Sequence, residues 1–217
     1  MAPTLFWSTY FIMASQRPEY SFLTKAVSEL GSVDAPGKWY WNVLGYIIPG
    51  TLISIFAIGL HRHVSPAQSG KVPLVGILLS GVLMALSGVF PGDFENRQSL
   101  TMLLHTIGSF GSYVFFLIGA FTYPKQLKKS VYWSKAAGTG LLLTWLTILF
   151  GTWVFLFPKY PAVGQRIVFL CYFLWIGFYA CKLYRSTPGN KETTDKDVRQ
   201  SEPLPGAHSL FNIDRKL

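Results

Sequence analysis

The sequence predicts an all-α fold, a polytopic bundle of helices that crosses a membrane. Three observations support this prediction: half of the 217 residues are hydrophobic, only 13% are charged, and the apolar residues form long blocks. A block of about 20 apolar residues can cross the roughly 30 Å hydrocarbon core of a bilayer as a helix. We expect a transmembrane helical domain at residues 1–185, followed by a disordered cytoplasmic tail at residues 186–217 that is rich in Pro, Gly and charge.

Five clear apolar blocks predict five transmembrane helices, at residues 40–60, 72–92, 100–123, 136–157 and 163–184. A shorter block, residues 2–14, begins the chain and is short for a complete span. It has neither the basic start nor the cleavage site of a signal peptide. We expect it to be part of a first helix whose start is missing from this gene model, with a short tilted helix as the alternative.

Small residues four positions apart predict close contacts between these helices. They are Gly76 and Ser80, Gly81 and Ala85, and Gly108 and Ser112. This spacing lets neighbouring backbones approach closely in lipid, so we expect tight packing at these positions.

The distribution of Lys and Arg predicts the orientation of the chain, whose formal net charge is +9. One side of the predicted topology carries basic residues without acids: Arg62, Lys71, Lys125, Lys128, Lys129, Lys135, Lys182 and Arg185. Because cytoplasmic loops accumulate Lys and Arg, we expect this side and the C-terminus to be cytoplasmic, in a cell membrane. No basic cluster is interleaved with stacking aromatic residues, so membrane lipids, and not nucleic acid, are the expected partners.

A candidate site lies on the opposite, outer side of the predicted topology. Its members are Ser28 and Glu29 in the first long loop, Asp93 after the 72–92 block, His105 one turn inside the next block, and Arg166 at the start of the last. Charged and imidazole groups at membrane depth are costly, and they usually face the interior of a bundle, where they pair or bind a ligand.

These residues have a catalytic and a structural interpretation. In the first, His105 is a general base, Asp93 and Glu29 orient it or a metal, and Ser28 is a weaker fourth member. In the second, Arg166 forms an ion pair with Asp93 or Glu29 that locks loop to helix, and Ser28 caps a turn.

The helix face of His105 leaves the same choice open. Thr101, Gly108, Ser109 and Ser112 share this face, because they lie four before and three, four and seven after His105. The stripe either lines a cavity or forms a helix seam in which His105 donates to a carbonyl or to Asp93.

The candidate residues do not match the sites of known classes of membrane enzyme or haem protein. Only His105 lies inside a predicted helix, so neither paired haem ligands nor the several imidazoles of a membrane zinc hydrolase are available. One Asp at a helix end does not supply the pair of an aspartyl protease, and no GxSx pattern indicates a serine protease. One imidazole with two carboxylates can still hold a metal. The sequence therefore does not decide whether the protein binds a metal or a cofactor.

Four segments carry a family resemblance: YSFLTKAVSELGS (20–32), LSGVFPGD (86–93), LLHTIGS (103–109) and GQRI (164–167). Together they resemble the bacterial and archaeal membrane family called domain of unknown function 998, over about residues 18 to 185. The resemblance implies a fold of six helices, but it does not indicate which activity the protein has. The chain departs from the family pattern in its clipped first helix and in Val27, where Ile is common. The matching motif positions are Ser28, Glu29, Leu30, Gly31, Phe90, Pro91, Asp93, His105 and Arg166.

Three hypotheses for the function follow. The first is a non-enzymatic membrane protein whose outer polar pocket binds a lipid headgroup, a small molecule or a partner. The second is a membrane-embedded lipid-modifying hydrolase that uses His105 with Asp93 and Glu29. The third, a small transporter, is weakened because no charged residue lies in the middle of a predicted span. The sequence defines neither the substrate nor the oligomeric state.

Overall fold

The computed structural model describes residues 1–64 and 70–186, which are helical or irregular and contain no strand. The chain divides into two compact units, Met1–Ala180 and Cys181–Leu217. All contacts discussed below lie within the first unit. The predicted tail falls outside the described residues, apart from Ser186.

The described residues form eight α-helices: α1 Ala2–Ser15, α2 Lys38–Trp41, α3 Ile48–Val64, α4 Val72–Val89, α5 Leu100–Leu127, α6 Val131–Gly151, α7 Trp153–Leu156 and α8 Pro161–Ser186. A 3-10 turn, Val27–Gly31, lies between α1 and α2, and a π-helical segment, Asn42–Ile47, joins α2 to α3. Within the described ranges, five segments are long and apolar enough to cross a membrane: Lys38–Val64, Val72–Val89, Leu100–Leu127, Val131–Leu156 and Pro161–Ser186. The predicted all-α membrane bundle and its five spans are confirmed.

Prolines are accommodated inside two helices, and one of these helices, α5, extends beyond its predicted end. The expected loop at residues 124–135 is mostly helical, since α5 continues through Pro124 to Leu127 and α6 begins at Val131. A proline removes one backbone donor, and membrane helices tolerate this loss. Pro49 is accommodated in the same way, directly after the wider π-helical turns.

Glycines bring α4 into close contact with its neighbours on two sides. A Cβ atom on Gly81 would lie 2.5 Å from the carbonyl oxygen of Gly50 on α3. A Cβ atom on Gly76 would lie 2.5 Å from the Cα of Gly119, and one on Gly108 would lie 2.7 Å from the Ser87 nitrogen. No side chain fits at these positions, which confirms the tight packing predicted from the small residues.

The helix ends form two faces of different chemistry. We call one the loop face; it carries the segments at residues 16–37, 90–99 and 157–160. Backbone bonds fix the first of these segments, because the Val33 N–H donates to the Gly92 oxygen at 3.0 Å and the Ala162 N–H to the Leu23 oxygen at 3.2 Å. We call the other the basic face; it carries the ends of α3 and α5 and the starts of α4 and α6.

Candidate functional site

His105 is buried on α5, with 4% of its surface exposed, and its Nδ1 faces the end of α4. Nδ1 lies 2.9 Å from the Ser87 carbonyl oxygen and 3.0 Å from that of Phe90. A carbonyl can only accept, so Nδ1 carries the proton and donates it. The last carbonyls of a helix have no partner within the helix, and His105 therefore acts as a cap for α4.

Ser28 is linked to His105 through Tyr46. The Tyr46 ring lies edge-on to the His105 imidazole, with 6.3 Å between the ring centroids, and the Tyr46 hydroxyl interacts with the Ser28 side chain. Ser28 itself is buried, with 7% of its surface exposed. Ser28 thus belongs to a packed layer between the 3-10 turn and the first span.

Glu29 braces the loop in which it lies. One carboxylate oxygen accepts from the Ala26 N–H at 2.7 Å, and the other lies 3.0 Å from the Lys25 ammonium nitrogen. Glu29 is the third residue of the 3-10 turn, where an acidic side chain that reaches back to the preceding N–H stabilises the start of a helical turn.

Asp93 is half-buried and closes a turn after α4. Its carboxylate accepts from the Asn96 N–H at 2.9 Å. The sequence left open whether His105 donates a hydrogen bond to a carbonyl or to Asp93. In the structure His105 donates to carbonyls, and Asp93 accepts from a partner in its own turn. Among the described residues, no three His, Cys, Asp or Glu side chains are grouped so that they could hold a metal ion.

Arg166, at the start of α8, is bound by aromatic residues and backbone oxygens. Its Nε donates to the Tyr10 hydroxyl at 2.6 Å, and one terminal nitrogen donates to the Tyr20 hydroxyl at 2.8 Å and to the Lys25 oxygen at 3.0 Å. The guanidinium carbon also lies 5.6 Å from the centres of both tyrosine rings and 5.7 Å from that of Phe22. Such cation–π contacts stabilise a partly desolvated Arg.

The ion pair expected between Arg166 and Asp93 or Glu29 is absent from the described part of the chain. The physical reason is that both acids are occupied locally, Glu29 by Lys25 and Asp93 by the Asn96 N–H. Arg166 instead joins α1, the first loop and α8.

Tyr20 is the central member of this cluster. Burial raises the pKa of Tyr20 above its usual range, and the opposing effect of the Arg166 charge is smaller. The neutral hydroxyl accepts from Arg166 and donates to the Ala26 oxygen at 3.0 Å. Tyr20 therefore carries the interaction from α8 into the 3-10 turn.

A cavity of ≈ 460 Å³ lies beside these contacts, among the ends of the helices near the loop face. Its walls are Met84, Thr106, Ser109, Phe110, Ser112, Tyr113, Phe150, Gly151, Val154, Pro161, Gln165, Val168, Phe169 and Tyr172. At about 1.5 Å per residue, Thr106 lies about 9 Å and Ser112 about 18 Å along α5 from its first residue. The cavity thus occupies the half of the bundle nearer the loop face.

The polar groups of the cavity come from several helices. Thr106 and Ser109 are exposed on α5, and the Tyr113 hydroxyl donates to the Thr147 oxygen at 3.1 Å. At the inner end, the Ser80 hydroxyl lies 3.3 Å from that of Ser112 and 3.0 Å from that of Tyr172.

Gln165 joins the cavity to the loop. Its side-chain oxygen accepts from the Val27 N–H at 2.9 Å, which fixes the orientation of the amide because a backbone N–H can only donate. The amide nitrogen, which carries two donors, has no hydrogen-bond partner in the described part of the chain.

Sequence reasoning located only part of this cavity. Ser109 and Ser112 belong to the predicted stripe, but His105 does not line the cavity, and Thr106, Tyr113 and Gln165 were not predicted. Gln165 lies in the GQRI motif, which was the available signal.

The fold and these contacts define a multipass α-helical membrane protein with a capped loop face and an inter-helical cavity. A family model described as "Protein of unknown function (DUF998)" matches residues 1–182, and the chain belongs to this family. The resemblance predicted from the four motifs is confirmed. Comparisons with curated proteins and with solved structures gave no match.

Proposed function

We propose that the protein binds a membrane lipid with an uncharged polar head in the cavity described above. The observation that carries this proposal is that two exposed hydroxyl side chains, Thr106 and Ser109, line a cavity between helices long and apolar enough to cross a membrane. Polar groups in contact with hydrocarbon lose hydrogen bonds with water, so a ligand that supplies such bonds is favoured there.

The size and the walls of the cavity support a lipid chain. Its volume of ≈ 460 Å³ falls within the roughly 300–1,000 Å³ of small-molecule sites. Apolar side chains make up much of the wall, among them Phe150, Val168 and Phe169. Phe110, at the same wall, is 65% exposed, which supports entry from the surrounding lipid.

The absence of charge supports a neutral head. None of the fourteen residues around the cavity is Asp, Glu, Lys, Arg or His, and a charged phosphate without a counter-charge is costly to bury. Arg166, which directly follows Gln165, is engaged by Tyr10 and Tyr20 and not by the cavity. The amide nitrogen of Gln165 can donate to an ester oxygen, so a diacylglycerol fits the chemistry of this site.

The proposal is tested by photocrosslinking in lipid nanodiscs. A photoactivatable diacylglycerol is expected to label peptides of α5 and α8 that line the cavity. Ser109→Phe fills the cavity and should lower this labelling several-fold, whereas the matched control Ile107→Phe, on the lipid-facing side of the same helix, should leave it unchanged. Equal labelling of these peptides in both variants, or stronger labelling of the same cavity-lining peptides by a photoactivatable phosphatidylglycerol, would contradict the proposal.

A further inference from the structure

The basic face carries a second cavity that the proposed function does not use. Its volume is ≈ 280 Å³, and it lies between the first turn of α4 and the last turns of α5. It is lined by Gly70, Val72, Pro73, Thr122, Lys125, Gln126 and Lys129. The Gln126 amide donates to the Gly70 oxygen at 2.5 Å and so fixes the start of α4 against α5.

Two lysines, Lys125 and Lys129, line this cavity. Lys125 lies in the last turn of α5 and Lys129 in the turn that directly follows this helix, and both residues are exposed. Neither lysine has an ion-pair partner in the described residues. The positive end of the α4 dipole adds to their potential.

No carboxylate of the described chain neutralises this end. The acids in residues 1–64 and 70–186 are Glu19, Glu29, Asp34, Asp93 and Glu95, and all lie in segments of the loop face. The exposed Lys and Arg residues at the other end of the first unit are Arg62, Lys71, Lys125, Lys128, Lys129 and Lys135. The described part of the basic face is therefore complementary to an anion, and the cavity is a concave point on it.

Exposed apolar residues continue from this cavity along both helices. Val72 is 54% exposed and Val75, one turn further along α4, is 46% exposed. On α5, Ile118 lies one turn below Thr122 and is 41% exposed. A ligand whose charged group contacts Lys125 and Lys129 therefore has an apolar path along two helices for its chains.

We propose that this cavity binds the phosphate headgroup of an anionic phospholipid, with the acyl chains along α4 and α5. Basic pockets between membrane helices are established binding sites for anionic headgroups. The apolar walls distinguish this occupant from a soluble phosphate, which would use only the lysines. The site is separate from the cavity near the loop face and shares no residue with it.

The test uses the full chain in nanodiscs of phosphatidylcholine with increasing phosphatidylglycerol. The wild type is expected to gain thermal stability with phosphatidylglycerol and to retain this lipid in native mass spectrometry. Lys125→Gln with Lys129→Gln should remove most of both effects. The matched control, Lys128→Gln with Lys135→Gln, makes the same change of charge on the same face outside the cavity and should retain them.

The outcomes separate the site from a general charge effect. Equal losses in the two double variants would show a diffuse attraction to the membrane and would overturn the proposal, as would no loss in either. Stabilisation by inorganic phosphate in detergent, to the same extent as by phosphatidylglycerol, would overturn the assignment to a lipid. If the double variant does not fold, Lys129→Gln alone is compared with Lys128→Gln. Lys125→Gln with Lys129→Gln should leave the diacylglycerol labelling of the cavity near the loop face unchanged, because neither lysine lines that cavity, which keeps the two tests independent.

Discussion

His105 donates its Nδ1 proton to the Ser87 carbonyl oxygen, 2.9 Å away, and this carbonyl has no helical donor of its own. In a continuing helix the donor would be the N–H four residues later, but that residue is Pro91, which has none. The proline that ends α4 thus creates the acceptor that the histidine of α5 satisfies. This relation explains physically why FPGD and LLH act as one structural element in this chain.

The first prediction tests this cap. His105→Ala should lower the melting temperature of the purified protein, because a buried carbonyl without a donor costs about 1–3 kcal/mol. The amide nitrogen of Asn lies near the position of Nδ1, so His105→Asn should recover part of the loss, and His105→Gln, whose amide extends toward the position of Nε2, should recover less. Thermal unfolding in detergent, followed by tryptophan fluorescence, gives the ranking. An equal loss for Asn and Gln would argue against a cap through Nδ1.

The second prediction concerns the Arg166 cluster. Arg166→Lys keeps the charge but cannot reach Tyr10, Tyr20 and the Lys25 carbonyl together, because an ammonium lacks the planar fork of a guanidinium. We expect a loss of about 1.5–3 kcal/mol, the range for hydrogen bonds to charged groups, seen as a lower melting temperature.

The control for this variant is Arg97→Lys, at an exposed position of the same face without a hydrogen bond or ion pair in the described residues. It should melt like the wild type. If both variants melt at the wild-type temperature, the geometry of the Arg166 cluster does not contribute to stability.

The third prediction separates the two contacts of Glu29. Glu29→Gln keeps an oxygen for the Ala26 N–H and loses the ion pair with Lys25, whose side chain is 50% exposed. Exposed pairs contribute at most about 1 kcal/mol, so this variant should be nearly as stable as the wild type. Glu29→Ala loses the bond to Ala26 as well and should be less stable by about 1 kcal/mol, the usual effect of a lost cap. Chemical denaturation measures the difference, and a Gln variant as unstable as the Ala variant would show that the charge is what matters.

The sequence predicted the spans well because only one kind of structure satisfies the backbone of an isolated apolar segment in lipid. It predicted the ends of α5 and α6 poorly, since Pro124 and the lysines after it are typical of a loop but lie in or near helical turns. For the site, the sequence located the polar residues on one face but assigned Arg166 to the wrong partners. By charge alone, an acid is the expected partner of Arg166. In the folded chain, however, Asp93 lies closer to a local donor, the Asn96 N–H, than to Arg166.

The cavity could be predicted only in part for a related reason. Helical periodicity places Ser109 and Ser112 on one face of α5, but it does not say which helices leave space opposite them. Gln165 and Val168 reach the same cavity from α8, more than 50 residues further along the chain. Such a space depends on the packing of several helices, which no single periodic pattern encodes.

The fourth prediction concerns the glycine contact between α3 and α4. Gly81→Ala should lower the melting temperature and the yield of folded protein, because its Cβ would lie 2.5 Å from both the Gly50 oxygen and the Ser54 hydroxyl, and backbone cannot move away cheaply. The control is Gly138→Ala on α6, where a Cβ meets no atom within 4 Å. That change should be neutral or stabilise the protein by up to about 1 kcal/mol, since alanine favours a helix more than glycine does. Size-exclusion profiles and melting curves of the two variants in the same detergent measure the contrast. If Gly81→Ala matches Gly138→Ala in both, the close approach of α3 and α4 is not required, and α4 can shift to admit a methyl group.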